Sequence, residues 1–331
     1  MRSPWNAEFH VRSATSAWKD AITYAQSCAS EAAALFFLIF KVHCKKESII
    51  LRVGYTSEFA RLRSNQLLIL VRLPASFRFE DGALLEPLAV ACHSVRRAGI
   101  KPGSSCLIVG AGAVGLLCAA VARFRVCKQI VISDIDSRRV NFTVQESFAE
   151  VGYTSTPKRA GTVDEDLTNG RGLASEIGSQ LWTDGSSVGR LNATFECTGV
   201  PGCVQASIYV SQSLMPDFAA SAADNPYQAT RSGGRIMLVG MGTPNYVLPI
   251  SEASAREIDL VPVWRYAHCY EEAIEEMSMV IDGSFRPDIR KLITHRFEGL
   301  ENVEKAFQMA GSSQDMTGKI VIKVAVNTET S

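Results

Sequence analysis

The sequence carries no surplus of either charge: Lys+Arg and Asp+Glu both number 34 in 331 residues. A balanced chain has no electrostatic footprint for nucleic acid or an acidic membrane surface, and neither is expected as a partner. It also lacks any CxxC spacing. Its nine cysteines, at 28, 44, 92, 106, 118, 127, 197, 203 and 269, are scattered and odd in number. That pattern argues against a disulfide framework and reads as reduced thiols in a reducing, cytoplasmic compartment. No apolar run is long enough to span a bilayer. The strongest, Ala32–Phe40, falls well short of the ~20 residues required. It also stands too far behind Lys19, Asp20 and Glu31 for a leader peptide, so a buried helix is expected there. There is no internal repeat, and residues 1–63 show no sustained apolar period.

From about residue 66 the texture becomes regular. Leu67–Val71, closed by Pro74, is rich enough for a strand. Glu80–Ala98 has helical spacing, with Pro87 inside predicting a kink or a break. Cys106–Val109 reads as a buried strand, Gly110–Gly115 as a glycine turn, Val114–Phe124 as a small-residue helix and Gln129–Asp134 as a second strand. Further strands are expected at Ala193–Cys197, Arg235–Val239 and Leu260–Val263, and helices near 200–210 and 270–281. Strand alternating with helix at this spacing implies an α/β fold with a doubly wound parallel sheet. The tail repeats the mixture: Leu292–Phe297 extended, Leu300–Ala310 helical, Lys319–Val326 extended. Val210–Gln228 breaks the rhythm with two prolines and little period, and reads as an insertion. Without it, Gly233-Gly234 would mark the exit of the preceding helix.

The chemistry-bearing motif is Gly110-Ala-Gly112-Ala-Val-Gly115. It follows a strand, opens a helix and precedes a second strand that ends in Asp134, nineteen residues after Gly115. The first glycine allows the tight turn, the second lets backbone approach a pyrophosphate, and the third lets helix and strand pack closely. The helix N-terminus offers free N–H groups and partial positive charge to phosphates. Asp134 can accept from ribose hydroxyls and would repel a 2′-phosphate, which favours NAD over NADP. Arg138 and Arg139 close behind moderate that preference. Glu86 and His93, taken alone, are ordinary residues of a helix.

The ordered segments Glu80–Val90, Arg96–Gly99, the glycine turn, Phe195–Pro201, Gly233–Arg235, Val239–Pro244, Trp264–Tyr266, Thr294–Glu304 and Gly318–Ile320 together resemble the zinc-dependent medium-chain dehydrogenases. The polyol branch, the sorbitol and xylitol dehydrogenases, is nearest, and the resemblance runs over residues 66–326. It implies a Rossmann domain at 99–290 with an insertion at 210–228. It also implies a remnant of a GroES-like catalytic domain at 64–98, and segments returning to that domain at 291–331, leaving 1–63 unassigned. It implies that Asp134 and Arg139 hold adenosine ribose and that Val114 packs on the cofactor. Val239, Gly240 and Met241, with Val263, Trp264 and Arg265, would line the nicotinamide end. Arg265 and Tyr266 would reach a polyol or ketose substrate, and Glu86 would stand beside the catalytic zinc. Thr243–Ile250 resembles an edge strand through which relatives pair, which implies a homo-oligomer. The family's zinc ligands, a cysteine and a His-Glu pair within Gly-His-Glu, have no counterpart here. The upstream His10, Cys28, His43 and Cys44 stand in no matching context, so no metal ligand is assigned. An NAD-dependent polyol dehydrogenase by descent is therefore expected, truncated in its catalytic domain and with little zinc-dependent turnover. The alternatives are a non-catalytic dinucleotide-binding protein and a zinc-free reductase of the same superfamily.

Overall fold

The computed structural model describes residues 73–125, 127–158, 160–189, 191–209, 230–242 and 245–327. The expectations for 1–63, for a strand at Leu67–Val71 and for an insertion at Val210–Gln228 lie outside these residues. The described chain falls into two compact units. One is Leu84–Ile289; the other joins the residues up to Ala83 to those from Arg290 onward.

The larger unit is an α/β layer structure. Helix α1 (Phe79–Ala98), which begins in the smaller unit, runs unbroken through Pro87. Of the kink or break expected at Pro87, the break does not occur. Proline removes the bond that would have reached the carbonyl four residues back, which is that of Ala83, the last residue of the smaller unit. Leu84, Leu85, Leu88, Ala89, Ala91, Cys92 and Val95 are all buried around and beyond it, and this apolar stripe keeps the helix whole.

Six parallel strands follow: β1 (Ser105–Val109), β2 (Gln129–Asp134), β3 (Val151–Thr154), β4 (Leu191–Glu196), β5 (Thr230–Leu238) and β6 (Asp259–Pro262). Their order across the sheet is β3-β2-β1-β4-β5-β6. The helices between them are α2 (Ala113–Phe124), α3 (Ser137–Gln145), α4 (Val163–Gly178), α5 (Pro201–Ile208) and α6 (Ile250–Ser254), and α7 (Tyr270–Ile281) closes the unit. The order is that of the doubly wound dinucleotide-binding fold, which reverses direction between β1 and β4. Strand β1 is buried from Cys106 to Val109 because both its neighbours and both its faces are covered. Below the sheet Leu107, Val109, Val131, Ala174, Ile177, Trp182, Leu191 and Tyr209 form one apolar cluster.

Four elements, α3, β3, α4 and α6, have no counterpart in the sequence-based expectation. β5 also starts earlier than expected. Gly233 lies inside it at φ +68°, where the pairing shifts from Leu191–Thr230 to Ala193–Arg235. This glycine is the pivot of a bulge within the strand, not the exit of a helix. Its N–H is bonded to the Arg256 carbonyl at 2.8 Å.

The smaller unit contains strands β7 (Ile293–Glu298) and β8 (Lys323–Asn327), paired in parallel, and helix α8 (Val303–Ala310) between them. Within it Arg296 meets the Glu80 carboxylate through Nε at 2.7 Å and Nη2 at 3.0 Å. No helix among the described residues is long and apolar enough to cross a membrane.

Candidate functional site

The site is built where five strands of the larger unit end, β1, β2, β4, β5 and β6. Gly110, at φ +102°, turns the chain out of β1, and its N–H is held by the Ser133 carbonyl at 2.7 Å. A side chain there would meet Thr198, and a Cβ on Gly115 would stand 1.9 Å from the Gly110 carbonyl oxygen. Gly112 differs: a Cβ would meet nothing within 4 Å. It is the N-cap of α2 and offers no side-chain cap. The first N–H groups of the helix therefore face open space beside a glycine, an arrangement suited to receiving a phosphate oxygen. Val114 is half-buried at the same helix start.

Asp134, at the end of β2, braces this turn. Its Oδ2 accepts the Ala111 N–H at 2.6 Å, and its Oδ1 accepts the Asp136 N–H at 2.8 Å. Asp136 caps α3 through the Arg138 N–H and grips the Arg138 guanidinium at 2.9 and 2.7 Å. The guanidinium holds its carboxyl below the usual carboxylate range. Two carboxylates thus stand at the tip of β2, and Arg138 is committed to one of them. Arg139 is half-buried on α3, and its carbonyl accepts the Thr143 hydroxyl at 2.8 Å.

The ends of β4 and β5 are locked together by a group that no sequence motif marks as functional. Glu196 is buried, and its carboxylate accepts from the N–H of Thr198, the hydroxyl of Thr198 and the N–H of Gly199. Burial pushes this carboxyl up, against those donors. Its own carbonyl accepts from Val239 and Gly240 at 2.9 and 2.8 Å. Backbone then packs on backbone: a Cβ on Gly240 would come within 2.1 Å of the Gly199 nitrogen, and one on Gly242 within 1.9 Å of the Gly199 oxygen. The signal for the pairing of Gly199 with Gly240 is spacing across two strands, which no local pattern displays.

Val239, Gly240 and Met241 leave β5, and Val263, Trp264 and Arg265 leave β6, so all six lie at strand carboxyl ends with the glycine turn. Val263 is tied to β5 by its N–H on the Leu238 carbonyl at 2.9 Å. Met241 and Trp264 are exposed, and the Arg265 guanidinium lies over the Trp264 ring at 5.1 Å. Arg265 has φ +54°, an uncommon conformation for a residue with a side chain. Tyr266 packs edge-on against Tyr270 at 5.0 Å. Glu86 is buried on α1. Among the described residues one group could hold a metal, Cys92, Glu272 and Glu276, and none of the three lies on these loops. The residues present fit a dinucleotide; among the described residues no donor set at the strand ends fits a catalytic zinc.

No protein-family model matches the chain. The chain is 32% identical to sorbitol dehydrogenase of Gallus gallus over 255 residues, which is 76% of this chain and 59% of that protein. It is 30% identical to sorbitol dehydrogenase of Arabidopsis thaliana over 257 residues, 77% of this chain and 58% of that one. It therefore spans less than two thirds of the length of these relatives. Its fold matches the crystal structure of L-idonate 5-dehydrogenase from Escherichia coli with a TM-score of 0.55 at 23% identity, covering 77% of this chain and 59% of that one. Over the matched three quarters of its length, the chain belongs to the medium-chain, alcohol dehydrogenase-like family that contains the sorbitol dehydrogenases.

Proposed function

We propose that this chain binds NAD(H) in preference to NADP(H), and that it descends from oxidoreductases that exchange hydride between a polyol or ketose and nicotinamide. The observation that carries the reading is the tip of β2. Asp134 and Asp136 place two carboxylates beside the glycine turn, and Arg138 is held by Asp136. That charge pattern suits the two hydroxyls of an unphosphorylated ribose and opposes a 2′-phosphate. Bound nicotinamide supplies the hydride chemistry. The chain's own part is to hold the pyrophosphate at the uncapped start of α2 and to wall the nicotinamide end with Val239, Met241, Val263 and Trp264. Arg265 and Tyr266, adjacent after β6, supply polar groups to orient a polyhydroxylated substrate.

A metal-assisted step is not assigned. The relatives' sorbitol chemistry supports the substrate class, yet the described residues bring no zinc donors to the strand ends. The chain is expected to bind cofactor and to turn over polyol weakly or not at all, because an alkoxide near neutral pH needs a Lewis acid or a positioned base. Fluorescence titration with NADH and NADPH, followed by sorbitol and xylitol oxidation assays with and without added zinc, tests both parts. Equal or tighter NADPH binding would overturn the cofactor assignment. Robust polyol oxidation with one tightly bound zinc would overturn the expectation of weak turnover.

A further inference from the structure

The second half of α1 meets the first turns of α7 where Cys92 approaches Glu276. Cys92 on α1 is fully buried, and its Sγ lies 3.6 Å from Oε2 of Glu276 on α7. Glu272 stands four residues before Glu276, so both carboxylates lie on one face of α7. One donor atom from each of Cys92, Glu272 and Glu276 falls within 4.8 Å of the other two. Glu276 is only 4% exposed, yet its Oε1 has no hydrogen-bond partner. A thiol can satisfy one oxygen of a buried carboxyl; the second oxygen is left bare, a penalty that a ligand binding both atoms of this corner would remove.

We propose that Cys92, Glu272 and Glu276 bind one thiophilic divalent cation of the zinc class. The donor chemistry selects it: a thiolate with two carboxylates suits a borderline-soft ion, whereas magnesium and calcium take oxygen ligands alone. The donor spacing is also close. Bonds of about 2.0–2.3 Å to a tetrahedral ion put donors roughly 3.3–3.8 Å apart, a small rotamer adjustment from the present cluster. The local charge is consistent with it. Burial pushes the Cys92 thiol up, aided by the charges of Glu276 and Cys269, and pushes the Glu276 carboxyl up to about 7. Positive charge comes from the Glu272 side, where Arg125 contacts that carboxylate and Arg96 lies 3.9 Å from it. Cys92 therefore keeps its proton in the free protein, and Glu276 keeps its own below about pH 7. On binding, the metal–sulfur and metal–oxygen bonds form, the thiol proton leaves for solvent, and in that lower pH range the Glu276 proton leaves with it. A water completes four ligands. Glu272 is half-buried and gives the ion its way in. The site shares no residue with the upstream cysteine and His-Glu pair that the family resemblance implies, and it would clamp α1 to α7.

The test uses the full chain, stripped with a chelator and titrated with cobalt(II) alone. The expected result is one equivalent bound, with thiolate-to-cobalt charge-transfer absorption in the near ultraviolet that zinc abolishes, and with proton release into a weakly buffered solution. Cys92→Ser should lose the charge-transfer band, and Glu276→Gln should weaken binding on the order of tenfold or more. Glu272→Gln, at a half-buried position with access to solvent, should weaken it less. NADH binding by each variant checks that the unit is folded. A wild-type protein without a thiolate band overturns the proposal. So does a Cys92→Ser protein with an unchanged band, or a folded Glu272→Gln protein with unchanged affinity.

Discussion

At the scale of single residues, the cofactor turn separates stability from binding. Gly112→Ala adds a Cβ to open space, so its stability should stay within about 0.5 kcal/mol of wild type. Its NADH affinity should fall, because that space is where a pyrophosphate would sit. Gly115→Ala forces a Cβ onto the Gly110 oxygen and should lower both. Thermal unfolding and NADH titration on the two variants distinguish these outcomes. Asp134→Ala should weaken NADH binding by about 1–3 kcal/mol, the cost of charge-assisted hydrogen bonds left unmade, and narrow the gap to NADPH. Asp136 supplies a pH test. Its carboxyl is held below the usual range by the Arg138 guanidinium, so its contribution is present above the unfolded carboxylate range. That contribution is lost as pH falls through the folded value. Asp136→Asn should therefore flatten the acid side of the stability profile; an unchanged profile would discount the pair. The sequence exposed Asp134 through its spacing from Gly115. It did not expose Asp136 or Glu196, because a cap and a buried loop anchor depend on where backbone N–H groups point.

At the scale of elements, legibility followed apolar content. β1, α2 and β2 were readable because Cys106–Val109 and Ile130–Ile132 are unbroken apolar runs and α2 is made of small apolar residues. α3 carries two arginines and an asparagine, β3 is four residues with a glycine inside, and α4 contains Gly170 and Gly172. The two helices hold too few apolar residues, and the strand is too short, to announce an element, and tertiary packing decides them. Pro87 is the opposite case: a strong local signal overridden by burial on both sides. Pro87→Ala restores an N–H for the Ala83 carbonyl and should stabilise the protein by roughly 1 kcal/mol or more, read by chemical denaturation. A loss of stability would mean that the buried ring's packing outweighs the missing bond.

At the scale of the whole molecule, the fold class and the position of the cofactor turn were legible, whereas the convergence of β4 and β5 loops on Glu196 required three dimensions. Association is the prediction that belongs here. Residues 245–249 join no strand, and Val247 and Ile250 are exposed. If this stretch pairs two copies, as the family resemblance implies, sedimentation should show a dimer or larger at micromolar concentration and a Val247→Lys variant should be smaller. A wild-type monomer would end that proposal.

The parallel sheet has a further consequence. Its chemistry gathers at one rim, where strands end, and every return from helix to strand is made at the other. Tyr209, after α5, and Thr230, at the start of β5, both belong to that second rim. Tyr209 and Thr230 themselves stand a full strand away from the carboxyl-end loops. Excising Val210–Gln228, or carrying a reporter group between Tyr209 and Thr230, is therefore expected to leave NADH affinity as it was; an affinity that changes on titration would count against this.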